Sequence, residues 1–440
     1  MKPLEKGIEK QFVRYVLPSI FTQLLMGFYS IVDGFFVGRY AGDTGLAAIN
    51  LTWPVVAVIQ ACAVGLGTGG AVLAGTRLGQ KNKAAAVQAR GTAILLLFIV
   101  SLVLTLCFSL ALPLLLTGLG AKNAVRAAAT DYLQTMILGG AIQLFAGGLA
   151  PLLRNFGHTV GVMAVMVAGG VCNVALDALF IAVLGYGARG AAVATLTAQG
   201  LTLLCFLIFL FSDRRYPFSL SQLRLSAPAV RSILSVGLSP LGLFLAPSIT
   251  LLFTNWQCLR YGGDETLAAY AVAAYVAGAV GALLSGVGEG IQPLVSYAEG
   301  ADDHPAARRI FARALRWSLT VSLLLCAAAI SAKDLLGHLF GCGPEARVLL
   351  GSAMVYTAVA FPLLGLCKLL SSYFYAGHAP VFSSLLIYID PLCAAPLLLL
   401  TLPLFFGVSG IWASYPVTYV FIGMLGFFLF YRHEKKKARP

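Results

Sequence analysis

What this chain has least of is charge. Only 11% of its residues are Asp, Glu, Lys or Arg, less than half of the roughly 25% usual in soluble domains. Acids are scarcer than bases, 17 against 30. Hydrophobic residues fill 59% of the 440 positions, and the mean hydropathy is +0.88. A soluble fold of this size could not bury so much apolar surface, which excludes a large water-soluble domain. The short alternating segments of a membrane β-barrel are missing too. No CxxC pair or Cys/His cluster occurs, and the nine cysteines are scattered singly. A disulfide framework and a metal site of the cysteine or histidine type are therefore not indicated. The five histidines (His158, His304, His338, His378 and His433) fall at helix ends, in loops or in the tail. No catalytic constellation is in view, so neither an enzyme nor a cofactor is expected. The opening MKPLEKGIEKQFVRY stays polar and basic for longer than a typical leader and runs into a longer apolar stretch, so no cleavable signal peptide is expected.

What is present is a series of apolar runs close to the ~20 residues a bilayer crossing requires. They predict twelve spans, near 12–36, 48–74, 91–115, 130–153, 160–184, 191–211, 233–258, 268–296, 317–340, 350–375, 381–405 and 410–431. The fold class is thus an all-α polytopic membrane protein. Lys and Arg then set its orientation. One side collects the clusters Lys2–Arg14, Arg77–Arg90, Arg154, Arg214–Arg231, Arg308–Arg316 and Arg432–Arg439. The other side holds only Arg39, Lys122, Arg126, Arg189, Arg260, Lys333 and Arg347. The bias predicts that the first side, and both termini, are cytoplasmic. The net charge of +13 follows from this asymmetry and is read as a topology signal plus contact with anionic lipid headgroups, so nucleic acid is not an expected partner.

The chain also occurs twice over. AGDTGLAA (41–48) overlays GGDETLAA (262–269), and Pro18 overlays Pro240. Gly65, Gly67, Gly69 and Gly79 overlay Gly286, Gly288, Gly290 and Gly300. Gly157-His158 overlays Gly377-His378, and Gly187 and Gly190 overlay Gly407 and Gly410. Each half has six spans and starts on the same side, which makes a parallel repeat about an axis along the membrane normal. Two six-helix bundles are predicted, 1–211 and 232–440, joined by a polar, basic cytoplasmic linker at 212–231. Such an architecture belongs to transporters, with a substrate cleft between bundles that rock to expose it to either side.

Against this apolar background two acids stand out: Asp33 in SIVDGFFVG and Asp177 in CNVALDALFI. A carboxylate in hydrocarbon marks a functional candidate unless it is paired or faces a cavity. In the overlay Asp33 falls on Thr254 and Asp177 near Leu397, so the second copy lacks both. A purely structural role would more plausibly appear in both copies. Both acids are placed in the outer half of the membrane, with Asn173 one turn before Asp177 on the same face. Thr195 in the sixth span and Tyr132 at the start of the fourth are placed at a similar level. Carboxylate, amide and hydroxyl at one depth can hold a proton or a cation. The plainer alternative is that they tie helices together.

The pattern resembles the multidrug and toxic compound extrusion (MATE) family of cation-coupled antiporters over essentially the whole length. The residues that carry the resemblance are Pro18 followed by VDGFFVGRYAG, NVALD in the fifth span, GxGxG with a later glycine in the second and eighth spans, and IQPLVSY (291–297). The eighth span leans toward the bacterial MepA-like branch. The resemblance implies that Asp33, Asn173 and Asp177 bind the coupling H+ or Na+. Thr195 and Tyr132 are implied as further members of the site, with Thr195 completing a possible Na+ set. It implies that Pro18 bends the first helix. There are departures: GLSPLGLFLAPSI (237–249) has no acid, Glu289 replaces a usual glutamine, and Ala150 stands where an asparagine is common.

The second half has its own intramembrane charges, Glu289, Lys368 and Asp390. Glu289 and Lys368 are predicted at matching depth and able to pair. Asp390, before Pro391, is expected at a break in its helix. These three and Gln292 are the substrate-cleft candidates. The resulting expectation is a monomeric exporter of the bacterial cytoplasmic (inner) membrane. It would exchange H+ or Na+ for a small organic molecule, cationic and lipophilic. The runner-up is a flippase for lipid-linked oligosaccharide in the same wider superfamily, which commonly carries more basic cavity residues.

Overall fold

The computed structural model describes residues 7–437, so Lys2, Lys6 and Arg439 of the charge count lie outside the described residues. Two continuous helical stretches, Glu9–Gly79 and Ala227–Gly300, run for 71 and 74 residues. At 1.5 Å per residue each would be roughly 105 Å long, more than three bilayer cores of ~30 Å. Each must therefore turn back once. The turns sit at repeat-related glycines, Gly42 and Gly263, both with φ of 68°, a left-handed conformation that a Cβ disfavours. With these two reversals, twelve crossing segments follow one another among the described residues. They are α1 (Ile8–Phe36), α2 (Gly42–Gly79), α3 (Lys83–Gly118), α4 (Asn123–Leu138 and Gly140–Asn155, bent by 56°), α5 (Thr159–Asp177) and α6 (Gly187–Ser212). The second series is α7 (227–262), α8 (264–300), α9 (His304–Ser331), α10 (Pro344–Val359 and Phe361–Ala376, bent by 41°), α11 (Pro380–Ile389 and Ala395–Phe406) and α12 (Val408–Lys437).

The ninth span differs from its predicted limits of 317–340. Asp303 caps α9 through the Ala306 amide and Pro305 opens it, so the charged segment before Arg316 is already helical. The helix ends at Ser331, and Lys333–Leu339 is a separate short helix. Hydropathy alone misses such ends, because the helix continues beyond the hydrocarbon.

Two compact units emerge. One comprises Phe21–Phe244 with Gly300–Asp302; the other comprises Ile8–Ile20, Leu245–Glu299 and the residues from Asp303 onward. The first turns of α1 thus belong with the second-half helices, and the first turns of α7 with the first-half helices. The repeated GxGxG motif explains how these borrowed segments are held. A Cβ on Gly65 would lie 2.8 Å from the Gly237 carbonyl oxygen, and one on Gly69 would strike the Ile233 carbonyl, both on α7. In the other unit, Cβ atoms on Gly286 and Gly290 would lie 2.8 and 2.5 Å from the α carbons of Ile20 and Val16 on α1. The middle glycine serves its own unit: Gly67 meets Gly148 on α4, and Gly288 meets Ser372 on α10.

Elsewhere the surface suits lipid. On α3, Leu106, Leu110 and Leu114, spaced one turn apart, are 62%, 76% and 75% exposed. The segment after α6 is held by buried polar groups. Arg90, counted with the charges of the cytoplasmic side, is buried at 2% exposure. Its guanidinium donates to the carbonyls of Tyr216 and Pro217 and to Gln222 Oε1, and lies 4.8 Å from the centre of the Phe156 ring. Alongside, the Asp213 carboxylate accepts from Arg215 (3.0 Å) and pairs with His158 (2.8 Å). Burial pushes the Asp213 carboxyl up, but the hydrogen bonds from Arg215 and His158 outweigh it and hold it down to about 2.

Candidate ion and substrate sites

Three π-helical turns interrupt the spans, at Val37–Ala41, Ala178–Val183 and Asp390–Ala394. Each extra residue resets the register of the side chains, and such bulges concentrate at functional sites. Here each turn accompanies an intramembrane aspartate. Asp33 lies four residues before the first, Asp177 immediately before the second, and Asp390 begins the third. The first two turns touch one another and both touch α6, which brings the ends of α1 and α5 together.

Asp33, Asn173 and Asp177 meet at that junction. Asp177 is fully buried and Asn173 is 3% exposed, while Asp33 is half-buried. Both Asp177 carboxylate oxygens, both Asn173 amide atoms and Asp33 Oδ1 are buried without a hydrogen-bond partner. Each such orphan costs about 1–3 kcal/mol, more where it carries charge. The two carboxyl groups are close electrostatic neighbours. Two carboxylates offer only acceptors, so they repel unless something sits between them. A proton would turn one into a donor for the other. A hard cation would accept oxygens from both carboxylates and the Asn173 carbonyl, a donor set that suits alkali ions.

The packing of α5 on α6 adds to this set. Gly161 lies under the Phe209 ring, Gly169 under Thr202, and Gly190 against the Phe180 carbonyl. These contacts share one antiparallel register, which sets Asp177 opposite Ala194 and Asn173 opposite Ala198. Thr195 and Gln199, one turn apart on α6, therefore flank the acid and the amide. Thr195 is half-buried. Gln199, which the sequence did not single out, has a buried Oε1 without a partner. Its signal was the four-residue spacing from Thr195. Tyr132 packs in an apolar cluster with Val37 and Ile181, each one turn beyond an acid, and so braces the two bulged segments. Pro18 is buried inside α1 but stands about four turns from Asp33. It lies in the segment that belongs to the other unit, two residues before the change at Ile20–Phe21.

The second-half charges also cluster. From Leu364 to Gly377 every residue of α10 is buried except Lys368, which is half-buried. On α8, Ser285 and Glu289 are the two accessible positions between Leu284 and Ser296. The Lys368 amine donates to Ser285 Oγ at 2.9 Å, one turn before Glu289. Glu289 and Asp390 act on that amine as electrostatic neighbours. Gln292, in contrast, is buried at 3% exposure and takes no part in the accessible stripe. Asp390 adjoins Tyr419, which pairs edge-to-face with Tyr415 at 5.1 Å between ring centres. The register of Gly187 and Gly190 on Gly407 and Gly410 carries Thr195 onto Tyr415 and Gln199 onto Tyr419. In both halves the sixth helix thus offers the same two positions, filled differently.

Comparison with known proteins agrees with this architecture. The MatE family model matches residues 18–179 and 241–389. A protein of Shewanella oneidensis named FAD transporter is 25% identical, over 97% of this chain and 95% of its own length. The multidrug export protein MepA of Staphylococcus saprophyticus is 24% identical, over 67% of this chain and 65% of its own. Among solved structures, the outward-facing conformation of a multidrug resistance MATE family transporter of the MOP superfamily superposes with a TM-score of 0.93. It covers 98% of this chain and 96% of its own at 24% identity, a likeness of fold. With more than half of its residues matched by the family model, in two blocks that mirror its internal repeat, the chain belongs to the MatE family of membrane transporters.

Proposed function

We propose that this protein is a secondary active antiporter that exports small organic molecules, cationic and lipophilic ones among them, in exchange for H+ or Na+. The observation that carries this reading is the set of five orphaned polar atoms on Asp33, Asn173 and Asp177. Such a set is costly unless a cation visits it, and it lies in one half of a duplicated transporter. Asp33, Asn173, Asp177 and Thr195 are the proposed ligands of the ion, with Gln199 beside them and Tyr132 and Pro18 shaping the helices that carry them. Residues 1–211 and 232–440 are the two repeats, joined by the cytoplasmic linker 212–231; the first turns of α1 and α7 pack with the opposite repeat. Both termini face the cytoplasm of a bacterial inner membrane, and the chain works as a monomer.

The coupling is energetically adequate. One charge moving inward gains ~2.3 kcal/mol per 100 mV. At a potential of about 150 mV this supports a substrate gradient of a few hundred-fold, at ~1.4 kcal/mol per factor of ten. A relative named for multidrug export supports small organic cargo, and one named for FAD supports an aromatic molecule among the cargoes. The test is efflux of the fluorescent cation ethidium from vesicles under an imposed pH or sodium gradient. Gradient-driven efflux is expected in the wild type and not in Asp33→Asn or Asp177→Asn. Undiminished efflux in both variants rules the reading out.

A further inference from the structure

We propose that Lys368 is an anion-binding subsite, which takes the carboxylate or phosphate of an exported organic molecule, with Asp390 as the internal counter-ion that this group displaces. The proposal rests on the exporter reading for its cargo but on different residues for its evidence. Lys368 is a cation well inside a bilayer span, and it is the open position in a buried stretch of α10 that runs from Leu364 to Ala376. An ammonium held in a helical bundle without a function would be replaced at little cost by an apolar residue. Here the surroundings are built around it instead. Gly281 lets the end of the side chain lie flat on α8, with the Lys368 Cε 3.5 Å from where a Cβ would stand. Ser285 accepts from the amine at 2.9 Å, which leaves two of its three N–H groups to other partners. Asp390 and Glu289 supply negative charge at longer range.

The tyrosines make the subsite specific. Tyr415 and Tyr419 are each half-buried and stand next to Asp390. Tyr270 continues the wall and stacks on Trp412 at 6.4 Å. Aromatic faces and phenol donors beside an ammonium suit an aromatic molecule that carries an anionic group. The repeat sharpens the point. The paired helices Gly140–Asn155 and Phe361–Ala376 are of equal length, so the residue equivalent to Lys368 in the first half is Gly147, half-buried, where a Cβ would lie 3.0 Å from that of Ala63. The second half has put a cation where the first half has no side chain. When a substrate anion pairs with Lys368, Asp390 loses its counter-charge and either takes a proton or turns to the Tyr419 hydroxyl. No covalent step is involved.

The test compares riboflavin with riboflavin 5′-phosphate, which share one aromatic system and differ by a phosphate. Binding to the full chain in phosphatidylcholine vesicles is read by flavin fluorescence. The wild type is expected to bind the phosphate about tenfold more tightly or better. Lys368→Met should remove the preference, Lys368→Arg should keep part of it, and Asp390→Asn should increase it. The double variant Lys368→Met/Asp390→Asn removes the amine together with its counter-ion and should behave as Lys368→Met does, which guards against misfolding of the single variant. Equal binding of the two flavins by the wild type, or a preference that survives Lys368→Met, overturns the proposal. A preference that vanishes in phosphatidylglycerol vesicles assigns the amine to a lipid phosphate and overturns it as a substrate site. Gradient-driven ethidium efflux, measured on the same vesicles, reports on the exporter reading separately: its absence in the wild type defeats that reading and leaves the flavin preference standing.

Discussion

The fifth and sixth helices of the first half and their counterparts in the second half solve the problem of a buried aspartate in opposite ways. Asp177 on α5 is sealed, beside another acid and an amide, and none of its oxygens has a partner. Asp390 on α11 is half-open, with Tyr419 beside it and the Lys368 cation in reach. The first arrangement is incomplete without a mobile positive charge. The second carries its counter-charge within the chain and is incomplete only when a competing anion arrives. On the proposed reading the duplicated transporter divides its labour: one half would bind the ion that drives export, and the other would recognise the cargo. The contrast is read at a few positions of the shared framework, Thr195 and Gln199 against Tyr415 and Tyr419, and Gly147 against Lys368.

The largest effect that separates the halves is expected at the acids. Asp177→Asn should lower gradient-driven efflux by about 100-fold or more, in line with the loss of a group that carries coupling. Asp390→Asn should instead change which substrates pass while efflux still answers to the imposed gradient. If both variants lose the gradient response alike, the division of labour between the halves is broken. Next comes the pair of middle glycines. Gly67→Ala drives a methyl into the backbone of Gly148, whereas Gly288→Ala meets the Ser372 side chain, which can rotate away. Overpacking typically costs 1–3 kcal/mol, so Gly67→Ala should destabilise by about 3 kcal/mol and Gly288→Ala by about 1. Thermal unfolding of the two purified variants gives the comparison directly.

A smaller effect is expected from exchanging the repeat-related residues on the sixth helices. Gln199→Tyr imports the second-half residue beside Asn173, and should weaken ion dependence by roughly fivefold, the size of one lost hydrogen bond. The measured quantity is the cation concentration for half-maximal efflux, and an unchanged value would remove Gln199 from the site. The smallest effect is at the His158–Asp213–Arg215 knot, in which the second-half position of Asp213 is taken by His433. The Asp213 carboxyl is held at about 2, below the ordinary value near 3.9. Its contribution is therefore present in full above pH 4 and lost as the pH falls toward 2. Proteolysis of the 213–226 segment should accelerate only in that window, and Asp213→Asn should abolish the acid dependence.

Much of this was legible in the sequence. Spans are legible because a bilayer demands long apolar runs, and the repeat because glycines at close contacts and reversals cannot drift. Asp33 and Asp177 were visible as charges out of place, and Asn173 followed from helical spacing. Other features were hidden for physical reasons. The π-helical turns depend on tertiary contacts, and nothing in Val37–Ala41 or Ala178–Val183 marks them. Gln199 is uncharged, so it does not stand out until the register of α5 on α6 places it. Lys368 and Glu289 were expected at matching depth and able to pair, but side-chain length and rotamer decided that the amine bonds to Ser285, one turn before Glu289. Arg90 looked like one more basic residue near the cytoplasmic side, since burial by a linker cannot be read from hydropathy.

The central claim is that the cation coupled to export binds between Asp33 and Asp177. Its most direct test measures ethidium movement in Asp177→Asn vesicles twice, as exchange without any gradient and as efflux under an imposed inward H+ or Na+ gradient. The account predicts that exchange persists near the wild-type rate while acceleration by the gradient, tenfold or more in the wild type, is lost. Acceleration of the variant to the wild-type extent would contradict it.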